Sequence, residues 1–187
     1  SKILIAALKD YPTDPREFLI EHNEKNANSC DSFLCAWRAK GQGDNLSCWI
    51  RSISFEEVYD LYKHILESNP KASITDISDW SRPELKSLNN IGVNIIDPKV
   101  FSVLEISKII SSSAHVITID TALVHICAAL GKKVNLLLPY FHDERWCEYL
   151  SINSSYSKYC NIINQDKPLN WDGISVKLKT IYDKYWI

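Results

Sequence analysis

Asp120, Thr121 and His125 are the residues whose types and spacing could do chemistry together. The first two stand where a short β-branched run, Val116, Ile117 and Ile119, gives way to good helix formers from Ala122 to Leu130. Aspartate and threonine cap helices well, so the turn is predicted at 120–121. The first amides of a helix lack intrahelical acceptors and carry partial positive charge, so a phosphate can bind there without a dedicated cation. Ala122 in the first turn leaves the backbone open to approach. His125 follows Thr121 at one helical turn, which puts it on the same side, near a ligand at the mouth. Asp120 also reads as a helix cap, and a carboxylate buried so close to phosphates needs a hydrogen-bonded partner; it is not read as the base. The candidate binding set here is Asp120, Thr121, Ala122, Leu123 and His125, and the chemistry it fits is recognition of a diphosphate.

Such a site needs a strand leading in and a helix leading out. Gly131 stands in the usual helix-stop position, followed by Lys132 and Lys133, whose charge complements the carbonyl end, and Val134 to Leu138 begins the next strand. Upstream, Phe33 to Trp37 reads as the first strand and Arg38 to Ser52 as a loop holding Arg38, Lys40 and Arg51. Ser54 caps a helix to Glu67 whose apolar face is Phe55, Val58, Leu61, Tyr62 and Ile65. Strand candidates at Lys71 to Ile77, Val93 to Ile96 and Tyr159 to Ile163 alternate with helices opened by Ser81, running from Val103 to Ser111, and from Trp171 to Tyr185. That alternation predicts an α/β, Rossmann-like fold, a parallel sheet with helices on both faces. Residues 1–32, which include a short helix from Arg16 to Asn23, read as a linker or interdomain segment, and 33–187 as the domain.

Loops at the carboxyl ends of parallel strands converge on a ligand crevice, which makes Arg38 and Lys40 the second candidate pair; a solvated loop charge is the plainer reading. Asp79, with Trp80, follows the second strand at a position suited to a ribose or base contact. Arg145 and Trp146 could supply a cation and a stacking face, although tryptophan is more often packing.

Composition narrows the function classes. The chain has 187 residues, 45% of them hydrophobic and 24% charged, enough for one core. A net charge of −2 offers no electrostatic footprint for nucleic acid. No run approaches the roughly 18 apolar residues that span a bilayer, and the apolar stretch Ile3 to Leu8 is too short for a secretory signal. The six cysteines include no Cys-x-x-Cys pair and read as free thiols of a reducing compartment, the cytoplasm.

The run from Asp120 to Lys132 resembles the glycosyltransferase family of the bacterial ADP-heptose:lipopolysaccharide heptosyltransferases and the related domains attached to tetratricopeptide repeats. Their pattern is Asp-Thr-(Gly/Ala/Ser)-Leu-x-His-x-Ala-(Ala/Gly)-Ala/Leu-x-Gly-(Lys)-Pro. This chain supplies Asp120, Thr121, Ala122, Leu123, His125, Ala128, Ala129, Leu130, Gly131 and Lys132, departing at Cys127 and Lys133. A second block is similar to the repeat-linked branch: Pro139, then Asp143, Glu144, Arg145 and Trp146, then Ser154, Ser155 and Tyr156, Gln165, and Asn170 with Trp171. It departs at Ser155, Ser157 and Asn170.

The resemblance implies the C-terminal half of a GT-B fold, a donor-binding domain taking a nucleotide diphosphate sugar, with Arg38 or Lys40 near the diphosphate and neither cofactor nor metal. It implies transfer to a saccharide, lipid-linked or protein acceptor in cell-surface polysaccharide or lipopolysaccharide synthesis, in the cytoplasm or peripheral to the inner membrane. In that family an N-terminal domain supplies the base and the acceptor site; here such a domain or a partner subunit would have to. The alternatives are a non-catalytic nucleotide-sugar-binding or interaction module that keeps the fold, and a non-hydrolysing sugar epimerase.

Overall fold

The computed structural model describes residues 31–39, 46–97, 101–144, 146 and 158–183. Residues 1–30 of the linker expected over 1–32, with its helix at Arg16 to Asn23, and Lys40, Arg145 and Ser154 to Ser157 lie outside the described residues, and Ser32 already begins the first strand.

The described chain runs β1 (Ser32–Ala36), α1 (Leu46–Arg51), α2 (Phe55–Ser68), β2 (Ser73–Asp76), α3 (Arg82–Asn90), β3 (Asn94–Ile95), α4 (Val103–Ser112), β4 (His115–Ile119), α5 (Ala122–Ala129), β5 (Val134–Leu138), β6 (Cys160–Asn164) and α6 (Ile174–Asp183). All the strand pairs are parallel, in the order β3-β2-β1-β4-β5-β6. The α/β Rossmann-like sheet expected from the alternation is therefore present, and its strand order reverses direction between β1 and β4. Ligand crevices in open parallel sheets form at that reversal, outside the carboxyl ends of the two strands.

Alternation along β1 divides the core. Phe33 and Cys35 face one layer, with α2, α3 and α6 supplying Leu61, Ile65, Leu88 and Leu178; Leu34 and Ala36 face the other, with Ile110 of α4 and Val124 and Cys127 of α5. Both faces are covered, which is why these strands read as nearly continuous apolar runs.

Local signals set the helix starts. The Ser54 hydroxyl accepts from the Glu57 amide at 3.3 Å, and α4 opens on a capping box in which the Glu105 carboxylate accepts from the Ser102 amide at 2.7 Å. Gly131 ends α5 with φ of +67°, a left-handed turn that suits glycine. Lys132 then differs from expectation. Its Nζ donates to the Ser113 carbonyl, at the C-cap of α4, so its charge serves the neighbouring helix. Helix α1 is a second departure, a helical piece inside the stretch read as loop. Six residues are too few for a hydrophobic period to show.

Candidate functional site

The β4–α5 turn is built as its sequence suggests. Thr121 is the N-cap, and its Oγ1 accepts from the Leu123 amide at 3.3 Å. Its carbonyl accepts from the Val124 amide at 3.3 Å. The amides of Thr121 and Ala122 have no acceptor among the described residues, so these two, at the helix start, are the ones open to a ligand. Thr118, fully buried, sets its Oγ1 3.0 Å from the Thr121 hydroxyl and fixes the turn from beneath.

A cleft of about 380 Å³ opens over this turn at the β1/β4 reversal, bounded by Asp120, Thr121, Ala122 and Leu123 on one side and Ala36, Arg38 and Arg51 on the other. Arg51 reaches across from α1. Its Nη1 donates to the Asp120 carbonyl at 2.6 Å and lies 3.7 Å from the Asp120 carboxylate. Its Nε donates to the Ser47 carbonyl at 3.0 Å, which fixes the direction of the guanidinium. The carboxylate is 95% buried, and Arg51 is the charged neighbour such a group requires.

Arg38 follows β1 by two residues and also lines the cleft. Its guanidinium lies 4.5 Å from the centre of the Trp80 ring and donates to Glu84 at 3.1 Å. Partial burial would raise the Glu84 carboxyl, but hydrogen bonds from Ser81 and the Arg38 charge hold it below its ordinary value. Trp80 itself is buried. Its indole N–H donates to Asp76 at 2.9 Å, so the side chain weighed as a base contact is instead the floor beneath Arg38.

Asp76 ends β2 and is fully enclosed. Its carboxylate accepts from the Tyr62 hydroxyl at 2.7 Å and the Ser78 amide at 2.6 Å, and Tyr62 in turn accepts from the Trp37 indole. Burial pushes the Asp76 carboxyl above its ordinary value, against the opposing pull of the Ser78, Trp80 and Tyr62 hydrogen bonds. The network rigidifies the ends of β1 and β2, from which Arg38 projects.

His125 is placed differently from the other motif residues. Its ring stacks on Trp146 with centres 5.8 Å apart and planes at 18°, and it does not line the cleft. Trp146 is fully buried, and the apolar face it offers competes with the open mouth for the imidazole. Asp79 lines a separate, larger cleft that adjoins the first through Arg38 and Ala39. Gln165, from the second block, is buried and accepts from the Tyr140 amide at 2.9 Å, tying the end of β6 to the loop after β5.

The structure thus brings Asp120, Thr121, Ala122, Leu123 and Arg38 together, sets Asp79 nearby and directs His125 elsewhere. Arg51 stands in the sequence as one of three basic residues of the first loop, and nothing local marks it as the partner of Asp120. Four cysteines are described, none of them in a disulfide, and burial pushes Cys127 up to about 12 and Cys160 up to about 11, so neither is a thiolate nucleophile at neutral pH. Among the described residues no group of His, Cys, Asp and Glu is clustered to hold a metal ion, and no helix is long and apolar enough to cross a membrane.

Compared with protein-family models, with curated proteins and with solved structures, the chain matches none.

Proposed function

We propose that the β1/β4 cleft binds the diphosphate of a nucleotide sugar and that the chain is the donor-binding half of a GT-B glycosyltransferase acting in the cytoplasm on cell-surface polysaccharide or lipopolysaccharide. One observation carries the reading: a helix start with two amides that have no acceptor among the described residues lines a cleft at the strand-order reversal together with two cationic residues, Arg38 and Arg51. Amides and cations aimed at one point stabilise a leaving diphosphate, which is electrostatic preorganisation. Thr121 and Ala122 would hold one phosphate by backbone, and Arg51 the other, exchanging part of its contact with Asp120 for a ligand oxygen. The acceptor, whether saccharide, lipid-linked or protein, and the base would come from an N-terminal domain or a partner subunit.

Calorimetric titration of the chain with ADP, UDP and the matching nucleosides tests this. Diphosphates bind and nucleosides bind at least tenfold more weakly; affinity falls with salt, and Arg51→Ala removes most of it. Equal affinity for nucleoside and diphosphate would count decisively against the reading. A second reading, a binding module without turnover, is favoured by the placement of His125 on Trp146, which leaves no imidazole among the described residues lining the cleft. It predicts diphosphate binding that no partner half converts into transfer.

A further inference from the structure

The larger cleft, about 1000 Å³, has a chemistry opposite to that of its neighbour. Its charged lining is Arg38 with Glu57, Asp79 and Asp172, an acidic balance, whereas the smaller cleft sets Arg38 and Arg51 against Asp120 alone. A phosphate is repelled from the first and attracted to the second. Its apolar lining is also unusual: Leu46, Trp49 and Leu169 are 69%, 63% and 54% exposed, large side chains left in water around one opening. Leu169 is held there by a backbone φ of +58°, the single non-glycine residue with a positive φ among those described. The turn that holds it is tight, with the Asn170 side chain accepting from the Asp172 amide at 2.6 Å.

An exposed indole beside carboxylates, an amide and the Ser54 edge is the lining that suits a neutral polyhydroxylated ring. The aromatic surface packs on the C–H face of a sugar, and carboxylate and amide oxygens accept from its hydroxyls. We infer that this cleft, between α1 and the segment preceding α6, is a separate site for a neutral saccharide. It does not depend on the nucleotide reading, because none of Trp49, Leu169 and Asp172 lines the smaller cleft.

The test uses the full chain with neutral tetrasaccharides of gluco, galacto and manno configuration as probes, followed by saturation-transfer NMR and by protection of tryptophan fluorescence from acrylamide. At least one probe binds; Trp49→Ala weakens it by about tenfold, and Asp172→Asn weakens it severalfold. Urea unfolding shows that Trp49→Ala is folded, and its ADP titration is unchanged. Arg51→Ala removes most of the ADP affinity and leaves the saccharide in place, so the two readings fail separately. The inference is overturned if none of the probes binds, if Trp49→Ala binds as well as the parent, or if adenosine or uridine protects Trp49 where saccharides do not.

Discussion

Replacing Arg51 and Asp120 singly and together isolates the contact that closes the candidate site. The guanidinium grips Asp120 twice, through the carbonyl at 2.6 Å and near the carboxylate at 3.7 Å. Asp120→Asn removes the charge and keeps the carbonyl, so the two contributions separate. Unit charges 3.7 Å apart attract by about 4–5 kcal/mol at an effective dielectric of about 20. Arg51 is 26% exposed, so water screens part of that, and desolvation opposes more, leaving an expected coupling of about 1–2 kcal/mol. The bond from a charged donor to the carbonyl adds about 1.5–3 kcal/mol. Arg51→Ala should therefore cost about 3–4 kcal/mol in the parent and about 1–2 kcal/mol less in the Asp120→Asn background. Urea unfolding of the four proteins, with equal dependence on denaturant, reads these values. Additivity within about 0.5 kcal/mol would refute the reasoning, because the carboxylate would then not feel the guanidinium.

Asp76 supplies a pH signature. Its folded carboxyl titrates above the unfolded one, so the folded state holds more protons between the two values and stability falls as pH rises through that window. The stability difference between the parent and Asp76→Asn, followed from pH 3 to 8 by urea unfolding, should decline across that interval; a flat difference speaks against the burial argument. Tyr62→Phe removes the donor to that carboxylate and the acceptor for Trp37, and should lower stability by about 2–3 kcal/mol in the same assay. Gly131→Ala should cost about 1 kcal/mol in thermal unfolding. A Cβ there meets only the Tyr159 ring, 3.8 Å away, so the penalty is conformational, and a loss several times larger would point to a clash instead.

What the sequence makes legible is what is local. Helix α2 shows itself through Phe55, Val58, Leu61, Tyr62 and Ile65 on one face and a serine cap, and the turn after β4 through a β-branched run meeting Asp120 and Thr121. Strand boundaries fall within a residue or two for the same reason. Pairings between distant segments leave no such trace. That Arg51 joins Asp120, that Trp80 lies under Arg38, and that Trp146 takes the His125 ring are consequences of the sheet order, in which β1 and β4 become neighbours although four helices and two strands separate them. The helix carrying Arg51 is too short to announce itself, so the residue reads as one more loop charge.

Helix α6 lies against α2 rather than beside the edge strand that precedes it, and Leu178 is sealed into the same layer as Phe33 and Cys35. A nascent chain can therefore cover the Phe33 and Cys35 side of its first strand with α2 and α3 early, while the seam that Leu178 fills stays open until some 140 further residues have been made. Closure of that layer waits on α6, and the apolar seam left open meanwhile is the surface a chaperone would cover.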